Sequence, residues 1–320
     1  MLNLEITSVS KKPQTVSKAA AAVFVITGDD IRRMGAQTIP DALRMAPGID
    51  VAQISASAWA LTARGLNGRF ANKLLVLVDG RTVFSPAFSG VFWDVQDTLL
   101  ADVERIEVIR GPGGATWGAN ALHGVVNIIK SAAATQGGLL EVSSGTARLG
   151  LCRPGLGTVA ASCFYPNPDN DLPRSNHIAG RSHGLEIAAD WQASRQHRLQ
   201  TSLTRFAMKI PATTVDVYTS GSSPTWSGSL RWSYTPSASM ELDLALRQVG
   251  RLNNMAFGQG VPGYRQMDLR WAWRTAPSTQ WELVARNLLG GKHLEFISES
   301  GATATSLVGA SLNLGLRLQF

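Results

Sequence analysis

Leu312, Leu314, Leu316, Leu318 and Phe320 fill every second position at the C-terminal end of the chain, with Asn313, Gly315, Arg317 and Gln319 between them. Successive side chains of an extended strand point to opposite faces, so this segment has one face in an apolar medium and the other in a polar one. Met240, Leu242, Leu244 and Leu246 alternate in the same way with Glu241, Asp243, Ala245 and Arg247. Met267, Leu269, Trp271 and Trp273 alternate with Gln266, Asp268, Arg270 and Arg274. Eight such segments follow one another, near 139–147, 183–193, 197–207, 226–235, 239–249, 264–274, 281–289 and 306–320. A water-soluble sandwich also alternates. Lipid is favoured because Trp191, Trp226, Trp232, Trp271, Trp273 and Trp281 sit near strand ends and the chain stops at an aromatic residue, both marks of a membrane β-barrel with interfacial aromatic girdles.

The first 136 residues read differently. After a polar start, Val23-Phe24-Val25-Ile26 predicts a short strand, and Thr27 or Asp29 can cap a helix that Gly35 ends behind the cationic Arg32-Arg33. A second helix is expected over Ile39–Ala46, with Pro40 in its first turn and Pro47-Gly48 beyond its end. Strands are expected at Ile49–Gln53, Trp59–Arg64, Leu74–Val78 with Thr82–Phe84, Ile106–Ile109 and Val125–Ile129. Together they predict a small α+β domain ahead of the alternating segments. The composition, 44% hydrophobic and 17% charged, suits such a pair of units, because alternation dilutes the apolar residues of a barrel. The net charge of +7 is scattered, with Lys11-Lys12 and Arg32-Arg33 the only adjacent basic pairs, which argues against a nucleic-acid module.

Within this domain, LLVLVDGR from Leu74 is followed by DVERIEVIRGPGGATWGANALHGVVNII, ending at Ile129. Glycine-rich turns after strands invite a nucleotide-binding reading, and it fails on spacing. A P-loop needs Lys and Ser/Thr directly after its last glycine, whereas Gly118 is followed by Ala119 and Asn120. A dinucleotide fingerprint needs its glycines to open a helix, whereas Val125–Ile129 is β-branched and reads as a strand. Gly80, Gly111 and Gly113 are read as turn residues needing positive φ or close backbone approach.

These residues, with Arg64-Gly65 upstream and VITGDDIRRMGAQTIPDALRMAPGIDV, resemble the plug domain of TonB-dependent outer-membrane receptors over roughly Leu4 to Gln136. The segment 281–296 and the terminal Phe320 resemble the late barrel of the same receptors. The resemblance implies import of a scarce nutrient, a ferric siderophore or a cobalamin-like ligand, across the outer membrane of a Gram-negative bacterium. A TonB-type periplasmic energy-transducing protein would be the partner, with no cofactor and no nucleic acid. Leu4, Glu5, Ile6, Thr7, Ser8 and Val9 form a strand-like segment without a sequence neighbour to pair with, a candidate TonB box or an ordinary frayed terminus. Arg64 and Arg110, each before glycine, resemble plug arginines that pair with barrel-wall carboxylates, and Asp79, Glu104 and Glu107 offer themselves as neighbours inside the plug. Trp59, in Ser55–Trp59, and Phe88, Phe92 and Trp93, in Ser85–Asp94, lie on loops that would face the ligand. Such aromatics form a platform or pack their loop down, and packing is the favoured reading.

The resemblance divides the chain into an arm (1–15), a plug (16–136) and an incomplete barrel (137–320), with an irregular junction near 148–172. Family members close twenty-two strands around a plug, and only eight are expected here. A domain of about 130 residues has a radius of gyration of roughly 14 Å, too large for the interior of an eight-stranded barrel. The expectation is a barrel missing its middle. Met1–Leu4 does not begin a signal peptide, so the chain reads as a mature form or one whose start lies upstream. Cys152 and Cys163 fit a disulfide or two free thiols equally. His123, His177, His183, His197 and His293 are dispersed without metal-site spacing, and no serine sits in a nucleophile elbow. The function expected is therefore binding and transport without turnover. The alternatives are a plug module that binds the energiser but transports nothing, or a small barrel with an appended soluble domain.

Overall fold

The computed structural model describes residues 5–19, 21–71, 73–85, 90–96, 98–118, 120–130, 139–145, 181–209, 221–253, 260–297 and 306–319. The N-terminal part is α+β. It runs β1 (Glu5–Ile6), β2 (Gln14–Thr15), β3 (Ala22–Thr27), α1 (Gly28–Met34), α2 (Ile39–Leu43), β4 (Ile49–Gln53), β5 (Trp59–Ala63), β6 (Leu74–Val78), β7 (Arg81–Thr82), β8 (Phe84–Ser85), β9 (Gly90–Val91), β10 (Val103–Arg110), α3 (Gly114–Trp117) and β11 (Gly124–Lys130). Its main sheet has the order β3-β10-β11-β6-β7, with β6 and β11 parallel and the other neighbours antiparallel. The run LLVLV of β6 lacks alternation because both faces of this sheet are covered. One face packs Val76, Ile106, Val108, Val126 and Ile128 against Ile31 of α1, Leu43 of α2 and Leu61 of β5. The other packs Leu75, Leu77, Ile109 and Val125 against Val9 and Trp117.

The helices begin and end where local chemistry dictates. Thr27 caps α1 in a reciprocal box with Asp30, and Gly35 closes it at φ +64°. α2 starts behind Thr38 with Pro40 in its first turn, but it is shorter than the expected Ile39–Ala46. Met45 and Ala46 donate to Ala42 and Leu43, an i to i−3 pattern that tightens the last turn, and Pro47 disfavours helical backbone at the residue before it. The expected strand Thr82–Phe84 is divided, because Val83 turns its amide back to Val76 and separates β7 from β8.

The eight remaining strands are β12 (Leu139–Gly145), β13 (Arg181–Gln192), β14 (His197–Lys209), β15 (Trp226–Ser237), β16 (Met240–Val249), β17 (Tyr264–Ala276), β18 (Thr279–Arg286) and β19 (Ser311–Gln319). They form one antiparallel sheet in the order β12-β19-β18-β17-β16-β15-β14-β13. Its ends, β12 and β13, do not pair with each other, so among the described residues the sheet is open. The size conflict posed by a closed eight-stranded barrel thus does not arise: the α+β domain lies against the polar face of an open wall. Leu185, Ile187, Trp191, Leu203, Trp271, Trp273, Trp281, Leu312 and Leu314 are exposed on the opposite face. Trp191, Trp232, Trp271, Trp273 and Trp281 lie near the short connections 193–196, 238–239 and 277–278, whereas Trp226 starts its strand at the other end. No helix among the described residues is long and apolar enough to cross a membrane.

Candidate functional site

The contact between the α+β domain and the wall is an array of ion pairs. Asp30, fully buried, closes the α1 cap with one oxygen and accepts from Arg198 of β14 with the other at 2.8 Å. One helical turn places Arg32 and Arg33 toward β16, where Arg32 donates twice to Glu241 at 2.6 and 3.1 Å and Arg33 to Asp243 at 3.0 Å. Behind them Arg270 of β17, itself 2% exposed, donates to Glu241, Asp243 and Glu282 at 2.8–3.0 Å. Buried charges persist only when paired and hydrogen-bonded, and this network supplies both.

A second cluster joins α2 to the segment after β18. Arg44 makes a two-pronged pair with Glu295 at 2.9 and 2.7 Å, lies over the ring of Trp59 and also reaches Asp41. Glu295 accepts in addition from the Gln53 amide at 2.7 Å. Burial opposes ionisation of Glu295, but Arg44, His293 and Arg247 hold the carboxyl well below the usual carboxylate range. Asp41 is depressed likewise against its burial, chiefly by Arg286 and Arg44; Arg286 donates to it at 2.5 Å and also to the Gly35 carbonyl.

The third cluster holds the two arginines singled out in the sequence. Arg64 and Arg110 meet at Glu186 of β13, with Nε of Arg64 at 3.2 Å from one oxygen and Nη1 of Arg110 at 2.6 Å from the other. Burial lowers Arg110 and Glu186 only partly offsets this, since Arg64 repels it. Gly48 sits directly below: its amide donates to Thr204 Oγ1 at 2.9 Å, its φ is +72°, and a Cβ there would lie 2.4 Å from Glu186 Oε1. The three groups border a cavity of about 400 Å³ that is also lined by Asp50, Thr204 and Phe206. Burial pushes the Asp50 carboxyl up to about 7, against the pull of Arg247 and with a push from Glu186.

Glu104, Glu107 and Asp79 are not neighbours of these arginines, which corrects the expectation. Glu107 pairs with Arg105 at 2.9 Å, Glu104 also pairs with Arg105, and Asp79 accepts from the Lys130 amide at 2.8 Å. For Glu107 the reason is parity: along β10 residues 105 and 107 share one face and Arg110 lies on the other. The N-terminal segment is not unpaired either, since Glu5 and Ile6 pair with Thr15 and Gln14, and the amides of Thr7 and Ser8 donate to Glu107. Leu4 lies outside the described residues, as do Phe88, Phe320, His177, Cys152, Cys163 and the 148–172 junction. Trp59 belongs to β5 and is buried under Arg44, and Trp93 is buried in the domain core, so both rings are packed. Phe92 stacks on Phe70 at 5.8 Å, with Arg69 over both rings. The tip of the β4–β5 hairpin instead packs Ile54 and Ala58 on Leu252, Val261 and Phe296, residues of the long connections of the wall. Sequence reasoning did not single out Arg32, Arg44, Glu186, Asp243, Arg270 or Glu295. For Glu186, Asp243 and Arg270 a signal existed: each is a charge at a polar-face position of an alternating strand.

A small α+β domain seated by ion pairs on the polar face of an antiparallel wall whose other face is apolar defines a plugged membrane barrel, here in part. Residues 15–125 match the family model of the TonB-dependent receptor plug domain. The vitamin B12 transporter BtuB of Vibrio vulnificus (strain CMCP6) is 32% identical over 136 residues, 42% of this chain and 22% of that protein. The chain therefore spans about a fifth of the length of this curated relative. The closed form of the ferric-catecholate import receptor Fiu from E. coli K12 has the same fold, with a TM-score of 0.65 at 10% identity over 96% of this chain and 98% of that one. Residues 15–125 are thus a plug domain of the TonB-dependent receptor type, and the wall beside them has the fold of part of such a receptor's barrel.

Proposed function

We propose that the chain acts in the outer membrane of a Gram-negative bacterium as an energised importer of a scarce nutrient of the ferric siderophore or cobalamin type, in a form that lacks the middle of its barrel. The observation that carries this reading is the seating of the plug. Three clusters of ion pairs fasten it to β13, β14, β16, β18 and the segment around Glu295, so a pull must break discrete polar contacts to free a path. Polar contacts of this kind re-form in water at little net cost, unlike a large apolar interface, which suits a plug that must move and return. Glu5–Val9 is the segment proposed to meet the TonB-type partner. Arg64 and Arg110 with Glu186 are proposed as the lock. The outward apolar face and its tryptophans support residence in lipid.

A second reading, a plug module that binds the energiser without transporting, is favoured by one feature: among the described residues the wall ends in two strands, β12 and β13, that do not pair with each other. One experiment separates the two. A receptor-deficient strain is given this chain behind a signal peptide and grown under iron or cobalamin restriction. Rescue that requires the energiser supports import. Binding of the energiser without rescue supports the second reading and overturns the first. Detergent-resistant, heat-modifiable behaviour without binding or rescue supports a small barrel with an appended domain.

A further inference from the structure

Asn67 lies on the connection between β5 and β6 and is followed by Gly68, the one Asn-Gly pair in the sequence. Arg64, Gly65 and Leu66 ahead of it take φ of +56°, +95° and +58°, three left-handed residues in a row of which two carry a Cβ. The segment is pinned from both sides. Thr62 Oγ1 donates to the Gly65 carbonyl at 3.1 Å, and Gly65 lies so close to β14 that a Cβ there would stand 2.5 Å from Met208 Cε and 2.6 Å from Phe206 Cζ. Asn67 itself is buried, and its side chain folds back on the chain: Oδ1 accepts from the amide of the very next residue, Gly68, at 3.0 Å. An asparagine in a turn or cap more often accepts from an amide two or three residues on. Here the Gly68 N–H points at the carboxamide of its own neighbour, with Cγ one bond behind the accepting oxygen.

That geometry is reactive. When base removes the Gly68 amide proton, the electron pair left behind takes the place of the N–H and is aimed at the carboxamide. Its attack on Cγ forms an N–C bond and closes a five-membered imide; the Cγ–Nδ2 bond breaks, and the nitrogen takes up a proton and leaves as ammonia. Water then opens the imide at either carbonyl, giving aspartate or, with the chain rerouted through Cγ, isoaspartate. The sum is asparagine plus water going to a carboxylate plus ammonia. Three features of the site favour it. Gly68 has no Cβ to shield its nitrogen, and the reacting groups are already held together. The new carboxylate arises in a segment whose other charges, Arg64 and Arg69, are both cationic. Rerouting through Cγ adds a backbone carbon beside a strained left-handed run. By contrast, Asn127 donates to Ser8 Oγ and accepts from the Gly80 amide, Asn287 donates to the Gly291 carbonyl, and the residues after them, Ile128 and Leu288, are bulky. We propose that Asn67-Gly68 is the self-modification site of this chain, where imide formation turns a buried neutral side chain into a carboxylate three residues from Arg64.

The test uses the full chain in detergent, held for days in mildly alkaline buffer and then cut with trypsin, which releases Gly65–Arg69 as one peptide. Mass spectrometry is expected to show that peptide gaining the mass difference between an amide and a carboxylic acid, and chromatography to split it into aspartyl and isoaspartyl forms. The gain should be at least about tenfold faster than in the peptides holding Asn120, Asn127 or Asn287. Gly68→Ala should slow it, and Asn67→Gln, whose attack would have to close a six-membered ring, should abolish it. Unfolding in urea frees every asparagine alike and should narrow the preference for Asn67. No gain in Gly65–Arg69, or an equal gain at every asparagine, overturns the proposal. A preference that widens in urea means that the fold protects Asn67, and overturns it as well; so does Gly68→Ala reacting at the parent rate.

Discussion

Replacing Glu186 by Gln removes the one charge that Arg64 and Arg110 share while keeping the size of the side chain. Arg110 is largely buried and its guanidinium lies 2.6 Å from the carboxylate, whereas the Arg64 side chain is 39% exposed. With charge centres roughly 4 Å apart and an effective dielectric of about 20, the Arg110 interaction is worth about 4 kcal/mol. The more exposed Arg64 adds no more than about 1 kcal/mol. The amide of Gln keeps a neutral hydrogen bond of about 1 kcal/mol, so the plug–wall contact should weaken by about 3 kcal/mol, which is on the order of a hundredfold in local opening. The Gly48 amide, bonded to Thr204 beside Glu186, is the reporter. Its hydrogen exchange should quicken by that factor while the amides of β6 and β11 keep their protection. Unchanged Gly48 exchange would refute the reasoning, and so would an equal loss of protection throughout the plug, which would mean general destabilisation.

Glu295→Ala leaves Arg44 buried without its main partner and should cost about 3–5 kcal/mol in thermal or chemical unfolding. Because Glu295 and Asp41 are both held below their ordinary values, the stability they contribute is fully present above about pH 5 and is lost as the pH falls through their folded-state values; acid unfolding curves of the parent and of Glu295→Ala should therefore converge at low pH. Asp50 has the opposite sign, since its raised carboxyl costs stability as the pH rises from about 4 to about 7. Asp50→Asn should therefore stabilise the chain at pH 8, on the order of 4 kcal/mol, with no gain at pH 4; a pH-independent difference would contradict the assignment. Gly48→Ala forces a side chain into a left-handed backbone position and against Glu186, and should cost about 1–3 kcal/mol by unfolding while mobilising the same contact as Glu186→Gln.

What could be read ahead of the structure was local. Thr27, Gly35 and Pro40 act within a few residues of themselves, and the eight alternating segments announce eight strands because period two is a property of each strand alone. The contacts that seat the plug are not local: Arg64 and Glu186 are 122 residues apart, and Arg44 and Glu295 are 251 apart. Alternation told which side of β13 or β16 is polar, but not which arginine of the plug arrives there. Placing Glu107 beside Arg110 was avoidable, since the two differ in parity on one strand and cannot share a face. Trp59 was expected both as the first residue of a strand and as the edge of a ligand-facing loop; it does begin β5, and its ring is the surface under the Arg44 guanidinium. The docking of Ser8 on Glu107 had no local signal, because an extended segment of mixed polarity reads the same whether it is free or held.

Energised uptake is the most direct test. Receptor-deficient cells expressing the chain behind a signal peptide are supplied with labelled ferric siderophores and labelled cobalamin, with and without the periplasmic energiser. Import through a plug released from its wall predicts accumulation of one of these ligands only when the energiser is present, and its loss when residues 1–9 are removed. No accumulation from a chain that is folded and resident in the outer membrane would contradict it.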